Sequence, residues 1–404
     1  MKKQILLIVA ILTVSLGCDD QVETPNVSQE TGVTVQPFEF DAHDVSNIKE
    51  ISDGVYSVFS SSNPDYEGRL RQFTLDTNEP NPVWRLTQHW PVGVEQEDMA
   101  WHIEWMKKYD YDPESQVEHT ELATVAPTLY DASTVYFHIY NNPGRAWASE
   151  NGKEPAMFAA LYKATATGEY PNQEWSMEPT PVYYSDNITW DRGGSRAVDA
   201  QVWQDNDGQQ YMTIGSWDPA MRKVIHIVDM DESTGRIEGF NANEPAYYPE
   251  GGHPSFHPVG TFGEATYSFR HGGYYYLFVN LGGCCSGLTS TYEIVVGRSE
   301  NIYGPYVDER GRDFMGKYNN ESDEPQIEVF AGKGLISGLQ GDTQYIGPGH
   351  TGIYETPRGK YCLSFHYYDG NANGTPRLGT REIVFDEEGW PYVVSDEEFA
   401  FWAN

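Results

Sequence analysis

The sequence is poor in positive charge. Its 404 residues include 26 Lys and Arg against 60 Asp and Glu, which gives a formal net charge of −34 at pH 7. A nucleic-acid-binding protein needs basic surface to neutralise phosphates, so this balance argues against nucleic acid as a partner. The same negative field disfavours long polyanionic ligands.

Cysteine is also scarce, with only Cys284, Cys285 and Cys362 after Cys18. Three cysteines in so long a chain are too few for a disulfide-based scaffold. The adjacent pair Cys284 and Cys285 either forms a bridge between neighbours or simply packs, and the sequence leaves both readings open.

The longest apolar run, Ile5 to Val14, stands at the N-terminus behind two lysines. It predicts a secretory signal over residues 1–17. The small residues before Cys18 resemble a bacterial lipobox, so Cys18 is the expected lipidation site; an ordinary signal peptide is the alternative. Residues 18–36 are polar and predict a flexible tether. We therefore expect a cell-envelope lipoprotein, at the outer membrane, the cell surface or the periplasmic face, with the lipid as its only membrane contact.

Helical periodicity is rare, and one β-rich unit recurs instead. Each unit is a short strand, a turn, and an aromatic strand, as in Val125–Tyr130, Asp131-Ala132 and Val135–Tyr140. The five units are anchored at Asp44, Ala126, Asp199, Glu264 and His350. Five repeats without helical signals predict an all-β, five-bladed β-propeller over residues 37–404. A β-sandwich or two β-domains is the alternative.

In a propeller, the first residues of the innermost strands converge at one end of the central axis. Here those residues include Asp44, Asp199, Glu264 and His350. Unpaired charges inside a protein are costly, so three carboxyl groups converging on one funnel predict a functional site.

Three short motifs carry a resemblance: His43-Asp44, Val198-Asp199 and Gly263-Glu264-Ala265. With them the chain resembles glycoside hydrolase family 43, and within it the endo-α-1,5-L-arabinanases. Two positions depart from that family, which has proline where this chain has Val45 and Ala200. Further matching motifs are Cys284-Cys285-Ser286-Gly287, Ser290-Thr291-Tyr292, Gly304-Pro305-Tyr306, Gly347-Pro348-Gly349-His350 and Gly389-Trp390-Pro391.

The resemblance implies the role of each acid. Asp44 is the expected general base and Glu264 the expected general acid, with Asp199 orienting Glu264 and favouring its protonated form by like-charge repulsion. The family inverts configuration, which implies that the carboxyl groups of Asp44 and Glu264 stand roughly 6.5–9.5 Å apart. The resemblance also implies that His350 holds an axial calcium ion together with waters; taken alone, such a histidine is more often a core residue.

Other residues are candidates for contact with sugar. We expect His43 and His366 to orient their neighbours or to contact sugar, and Trp217 to provide a stacking platform. The tryptophans between Phe59 and Val125 lie in a long segment whose role the sequence leaves open, near the cleft or as a cover over a blade.

The sequence therefore predicts an inverting glycoside hydrolase that cleaves α-L-arabinofuranosyl linkages of a polysaccharide, with endo-α-1,5 action on arabinan as the leading reading. An exo-acting α-L-arabinofuranosidase or β-xylosidase on another plant or algal glycan is the runner-up. A non-catalytic glycan-binding lipoprotein is the alternative of another class, and the intact set of acids disfavours it. We expect a monomer.

Overall fold

The structure is a computed structural model that describes residues 38–61, 70–89, 100–107, 123–141, 158–185, 197–216, 225–240, 254–316, 344–394 and 397–401. These residues belong to one compact unit, Thr34–Asn404. The predicted signal peptide, the tether and Cys18 lie outside the described residues. Within the described part of the chain, no helix is long and apolar enough to cross a membrane.

The chain forms five antiparallel sheets, one after another. The first contains β1 (Lys49–Ser52), β2 (Val55–Ser60), β3 (Arg71–Asp76) and β4 (Trp84–His89). After the helix α1 (Ala100–Lys107), the second contains β5 (Ala123–Asp131), β6 (Thr134–Asn141), β7 (Phe158–Thr167), β8 (Glu174–Met177) and β9 (Tyr183–Ser185). The third contains β10 (Gln201–Gln204), β11 (Gln210–Ile214), β12 (Ile225–Asp231), β13 (Arg236–Ile237) and β14 (Phe256–Gly260).

The fourth sheet contains β15 (Glu264–His271), β16 (Tyr274–Leu281) and β17 (Glu293–Ser299). The fifth contains β18 (Tyr345–Glu355), β19 (Tyr361–Asp369), β20 (Thr375–Phe385) and β21 (Pro391–Val393). In each sheet the first strands pair in sequence order, from the inner strand outward, so each sheet is one blade. The prediction of an all-β, five-bladed propeller is confirmed.

One backbone feature recurs in or just before every inner strand. A non-glycine residue adopts a left-handed conformation there, at Asp44, Ala126, Asp199, Ala265 and His350, with φ between 44° and 60°. Four of these are the predicted repeat anchors. In the fourth blade the left-handed residue is Ala265, and the predicted anchor Glu264 comes one residue before it. Asp44 and Asp199 adopt this conformation with Val45 and Ala200, and not proline, after them.

Amide side chains join the inner strands of neighbouring blades. Asn47 donates from Nδ2 to the Leu129 carbonyl (2.8 Å) and accepts the Leu129 N–H at Oδ1 (3.0 Å). Gln201 makes the same pair of bonds to the backbone of Ser268, at 2.9 and 2.6 Å. Because both amides are buried, these bonds satisfy backbone groups that would otherwise face the channel without a partner.

The ring closes where the two ends of the described chain pack together. The core of the first blade includes Phe38 and Phe73 and continues into Phe399 and Phe401 near the C-terminus. A backbone hydrogen bond from the Ala42 N–H to the Pro376 carbonyl (2.8 Å) ties the N-terminal segment to the fifth blade. Burial of this aromatic cluster joins the first and last blades without a shared strand.

The long segment between Phe59 and Val125 has two structural uses. Part of it forms the outer strands β3 and β4 of the first blade, with Trp84 buried in that blade's core. Helix α1 lays Trp101 and Trp105 on the core of the second blade, beside Tyr184. For Trp101 and Trp105 the structure favours the reading as a cover over a blade, whereas Trp84 belongs to the core of its own blade. Trp90 lies outside the described residues.

The amide bridges generate a stability prediction. Asn47→Ala leaves the buried N–H and C=O of Leu129 unpaired, and each such group costs about 1–3 kcal/mol. We expect the free energy of unfolding to fall by about 2–4 kcal/mol, read from the denaturant midpoint at unchanged slope. Asn78→Ala is the matched control, because Asn78 also bonds a carbonyl, that of Asp53, but at an exposed site where water can replace it. Equal shifts in both variants would contradict the role given to the bridges.

Candidate active site

Asp44 lies in the segment that leads into β1, the first inner strand, and is held from several sides. Its Oδ1 lies 2.8 Å from His43 Nδ1, and its Oδ2 accepts a hydrogen bond from Ser61 Oγ (2.9 Å). Burial alone would raise the pKa of Asp44, but the facing His43, with His350 and His366, holds it well below its usual range. Asp44 therefore remains a carboxylate, about one fifth exposed, which suits a group that accepts a proton from water.

His43 is fixed by its second nitrogen. Its Nε2 lies 2.6 Å from the Tyr368 hydroxyl, which also accepts the Cys285 N–H at 2.6 Å. Burial opposes the charged ring, but the neighbouring Asp44 carboxylate raises the pKa of His43 above its ordinary value. Nδ1 carries a proton toward Asp44 in both the neutral and the charged ring, so the pair persists across that titration.

Cys284 and Cys285 form a disulfide between neighbouring residues, which settles the alternative left open by the sequence. Cys285 is itself left-handed, with φ 64°. Its Sγ lies 3.9 Å from His43 Nε2, so the disulfide covers the histidine that orients Asp44.

His366 supports Asp44 through the backbone. Its Nδ1 accepts the Asp44 N–H at 3.2 Å, and its ring stacks on His43 with centroids 4.3 Å apart. The side chain is fully buried, and burial with the facing His43 holds its pKa well below the usual value. Of the two roles expected for His366, this geometry favours orientation over contact with sugar.

Tyr292 brings the three acids into one neighbourhood. Its hydroxyl hydrogen-bonds to Glu264, and its pKa is raised well above the usual value, first by burial and then by Glu264, Asp199 and Asp44. A tyrosine that stays protonated can donate to an ionised carboxylate and can also accept from a protonated carboxyl group. The predicted convergence of Asp44, Asp199 and Glu264 at one end of the axis is thus present around this hydroxyl.

Two glycines permit this crowding. Gly263 has φ +80°, and a Cβ there would lie 2.1 Å from a Val279 methyl group. Gly349 precedes His350, and a Cβ there would lie 2.2 Å from the ring of Tyr292. Any larger residue at either position would displace the acid or the ring beside it.

An axial cavity lies directly below the acids. Asp199, Thr266, His350 and Thr351 are among the residues that line it. Among the described residues, the buried hydroxyls of Thr266 and Thr351 have no hydrogen-bond partner. Burial lowers the pKa of His350, which favours the neutral ring, and its Nδ1 lies 3.6 Å from Asp44 Oδ1. Oxygen donors beside one neutral imidazole suit a hard cation, and the cavity's volume of about 10 Å³ leaves room for about one water.

A second grouping, His43, Asp44 and His366, has donor atoms close enough to share a metal ion. The nitrogens that face Asp44 are already used, because His43 Nδ1 pairs with the carboxylate and His366 Nδ1 accepts the Asp44 N–H. This cluster is therefore a hydrogen-bonded support for Asp44, and the axial cavity fits an ion better.

Some residues of the site carry no signal in the sequence that would single them out. Ser61 follows β2 without a recognisable motif, yet it bonds both Asp44 and the Ala126 N–H (2.9 Å). Tyr292 lies inside a motif noted above and bonds Glu264 within the fourth blade, whereas the role of Tyr368 depends on its contacts with His43 and Cys285, outside its own blade. Trp217, the predicted sugar platform, lies outside the described residues.

Carboxyl groups gathered over the mouth of a propeller, one kept ionised and another hydrogen-bonded to a tyrosine, define a glycoside hydrolase centre. Residues 102–391 match the glycosyl hydrolases family 43, and the chain belongs to that family. Asp44 precedes the matched region, so its assignment rests on the repeat and on its place in the structure.

Two relatives of known name are similar to the chain. An extracellular exo-α-(1→5)-L-arabinofuranosidase of Cellvibrio japonicus is 28% identical over 286 residues, covering 67% of this chain and 70% of the relative. An extracellular endo-α-(1→5)-L-arabinanase of Bacillus subtilis is 31% identical over 196 residues, covering 48% of this chain and 50% of the relative.

Solved structures share the fold. An exo-1,5-α-L-arabinanase from a bovine ruminal metagenomic library has a TM-score of 0.58 at 24% identity, covering 89% of this chain and 98% of the other. A Cellvibrio cellulosa α-L-arabinanase with bound arabinohexaose has a TM-score of 0.60 at 20% identity, covering 88% and 95%.

Proposed function

We propose that this protein hydrolyses arabinan by cutting α-1,5-L-arabinofuranosyl linkages within the chain. The observation that carries the proposal is the set of three carboxyl groups around Tyr292 in a chain of family 43. Named relatives that act on this linkage support the choice of substrate. The acidic composition agrees with a neutral polysaccharide, because a polyanion would be repelled.

Each acid has a role that its surroundings support. Asp44, held ionised by its histidines, removes a proton from the attacking water. Glu264 carries a proton to the glycosidic oxygen, and the Tyr292 hydroxyl orients it. Asp199 favours the protonated form of Glu264 by like-charge repulsion. Water attacks the face opposite the leaving group, so the anomeric configuration inverts.

Exo action is the second candidate. The Cellvibrio japonicus relative carries that mode in its name. The two modes differ in whether the cleft is open or blocked beyond one end of the sugar chain, while the same acids serve both.

Two substitutions test the chemistry on linear arabinan. Glu264→Gln removes the proton donor and Asp44→Asn removes the base; each role is worth about 10²–10⁴-fold in rate, so kcat/KM should fall by at least that factor. On an aryl arabinofuranoside, whose leaving group needs little protonation, Glu264→Gln should recover in part and Asp44→Asn should not. Glu382→Gln on β20 is the matched control and should retain activity.

Product analysis separates the remaining readings. Early release of mixed oligosaccharides supports internal cutting, whereas a single small product throughout supports exo action. NMR of the first product reports its anomeric configuration. A retained configuration would overturn the inverting mechanism, and near-normal activity of Asp44→Asn would overturn the role of that residue.

We further propose that the axial cavity holds calcium, with His350 and the nearby threonine hydroxyls as protein partners and waters completing the shell. When bound, the ion supplies positive charge beside the carboxyl groups and a link between inner strands of different blades. A cation bound only by the folded state stabilises it by mass action.

Chelation tests the ion without reference to activity. Removal of calcium should lower the melting temperature by roughly 3–5 °C, and added calcium should restore it. His350→Ala should melt at the same temperature with or without calcium, whereas the control His257→Ala, which alters a half-exposed histidine paired with Asp229, should still respond. An unchanged melting point in the unaltered protein after complete chelation would remove calcium from the proposal.

The named relatives are extracellular, which supports a secreted or surface enzyme. We propose lipid attachment at Cys18 as the anchor. In cells expressing the full chain, Cys18→Ala should move the protein from the detergent fraction to the soluble fraction, with arabinan hydrolysis unchanged. Equal partition of both proteins would exclude the anchor.

A further inference from the structure

A second cavity, which we call the far-mouth cavity, opens at the opposite end of the channel from the acids. Its volume is about 510 Å³, and residues from all five blades line it. The inner strands end there in described connections at residues 53–54, 132–133, 205–209, 272–273 and 356–360. A volume of this size lies within the ~300–1,000 Å³ range of small-molecule sites.

The far-mouth cavity is separate from the catalytic centre. Asn47, Gln201 and Tyr267 line both it and the axial cavity, so they form the waist between the two. Each of the three is fixed to a neighbouring blade: the two amides as described above, and Tyr267 through its hydroxyl to the Ile353 carbonyl (3.0 Å). A ligand in the far-mouth cavity therefore does not reach Glu264 or Asp44.

Lys49 provides this cavity with a partly exposed ammonium donor. Among the described residues, neither a hydrogen bond nor an ion pair joins its ammonium group to another side chain. Burial lowers the pKa of Lys49, and the nearby Asp131 opposes that effect. An ammonium group has three donors and no acceptor, so a ligand with several oxygen atoms would satisfy it.

The remaining lining fits a neutral, polyhydroxylated ligand. The cations Lys49 and Arg270 are balanced by the anions Asp131 and Glu355, so a ligand with a single sign of charge gains little. Asn206 adds an amide that can both donate and accept. Hydroxyl groups pair with all of these, because each can donate and accept.

Aromatic rings in the cavity are already held in place. Trp203 donates from its indole nitrogen to Thr213 Oγ1 (3.0 Å), and the Tyr361 hydroxyl lies 3.0 Å from His271 Nδ1. Fixed rings beside polar groups lose little conformational entropy when a sugar ring packs on them.

We propose that the far-mouth cavity is a non-catalytic binding site for a short neutral oligosaccharide. The choice of an arabino-oligosaccharide as first probe rests on the proposed function; the site itself does not. Such a site would bind a second stretch of glycan, or a released product, on the face opposite the acids. Binding at two sites would prolong the residence of the enzyme on its polysaccharide.

Calorimetric titration of Glu264→Gln with linear arabinotriose tests the proposal, since this variant retains both cavities. We expect two molecules bound per chain. Adding Lys49→Met, or separately Asn206→Ala, should lower the affinity of one of the two binding events about tenfold and leave the affinity of the other unchanged. Adding Lys360→Met, an exposed lysine outside the cavity, should leave both events unchanged. Thermal melts of each variant check that it is folded.

Xylotriose and cellotriose extend the panel, and digalacturonic acid serves as the charged probe. One bound molecule for every neutral trisaccharide would overturn the proposal, as would a second event that only digalacturonic acid produces. Hydrolysis of linear arabinan by the unaltered chain is measured separately. Arabinan cleavage without a second binding event rejects the far-mouth site alone; a second event that depends on Lys49, without arabinan cleavage, rejects the proposed substrate alone.

Discussion

The active end of this propeller depends on a left-handed residue in or just before every inner strand. A non-glycine residue in this region of φ and ψ costs of order 1–3 kcal/mol, and glycine would avoid that strain. Glycine carries no side chain, however, and Asp44, Asp199 and His350 stand at three of these five positions. The backbone strain is therefore retained at the positions whose side chains form the site.

Neighbouring blades stabilise these strained residues. The N–H of Asp44 bonds to His366, that of Ala126 to Ser61, and that of His350 to Asn280. In each case the acceptor lies in or directly after the second strand of the preceding blade. The packing of the ring therefore determines the conformation of the site, because a shift between two blades would break a hydrogen bond that holds one of these left-handed residues.

The local electrostatic surroundings give neighbouring groups of the site different protonation states. Asp44 faces histidines, which favour its ionised form despite its burial. Tyr292 faces the carboxyl groups, which favour its protonated form. The Asp44 carboxylate can thus accept a proton, whereas the Tyr292 hydroxyl keeps its own proton and remains a hydrogen-bonding partner for the carboxyl groups around it.

The sequence by itself determined the five repeated units, the all-β class and the three acids, because strand alternation, turns and short motifs are local features that need no knowledge of distant contacts. Only the tertiary structure decided that Ala265 and not Glu264 takes the left-handed position, that Cys284 and Cys285 are joined, and that α1 covers the second blade. It also decided the roles of Ser61, Tyr292 and Tyr368, whose partners lie far from them in the chain or on other blades. Contacts between residues tens to hundreds of positions apart follow from the closure of the ring, and no local pattern records them.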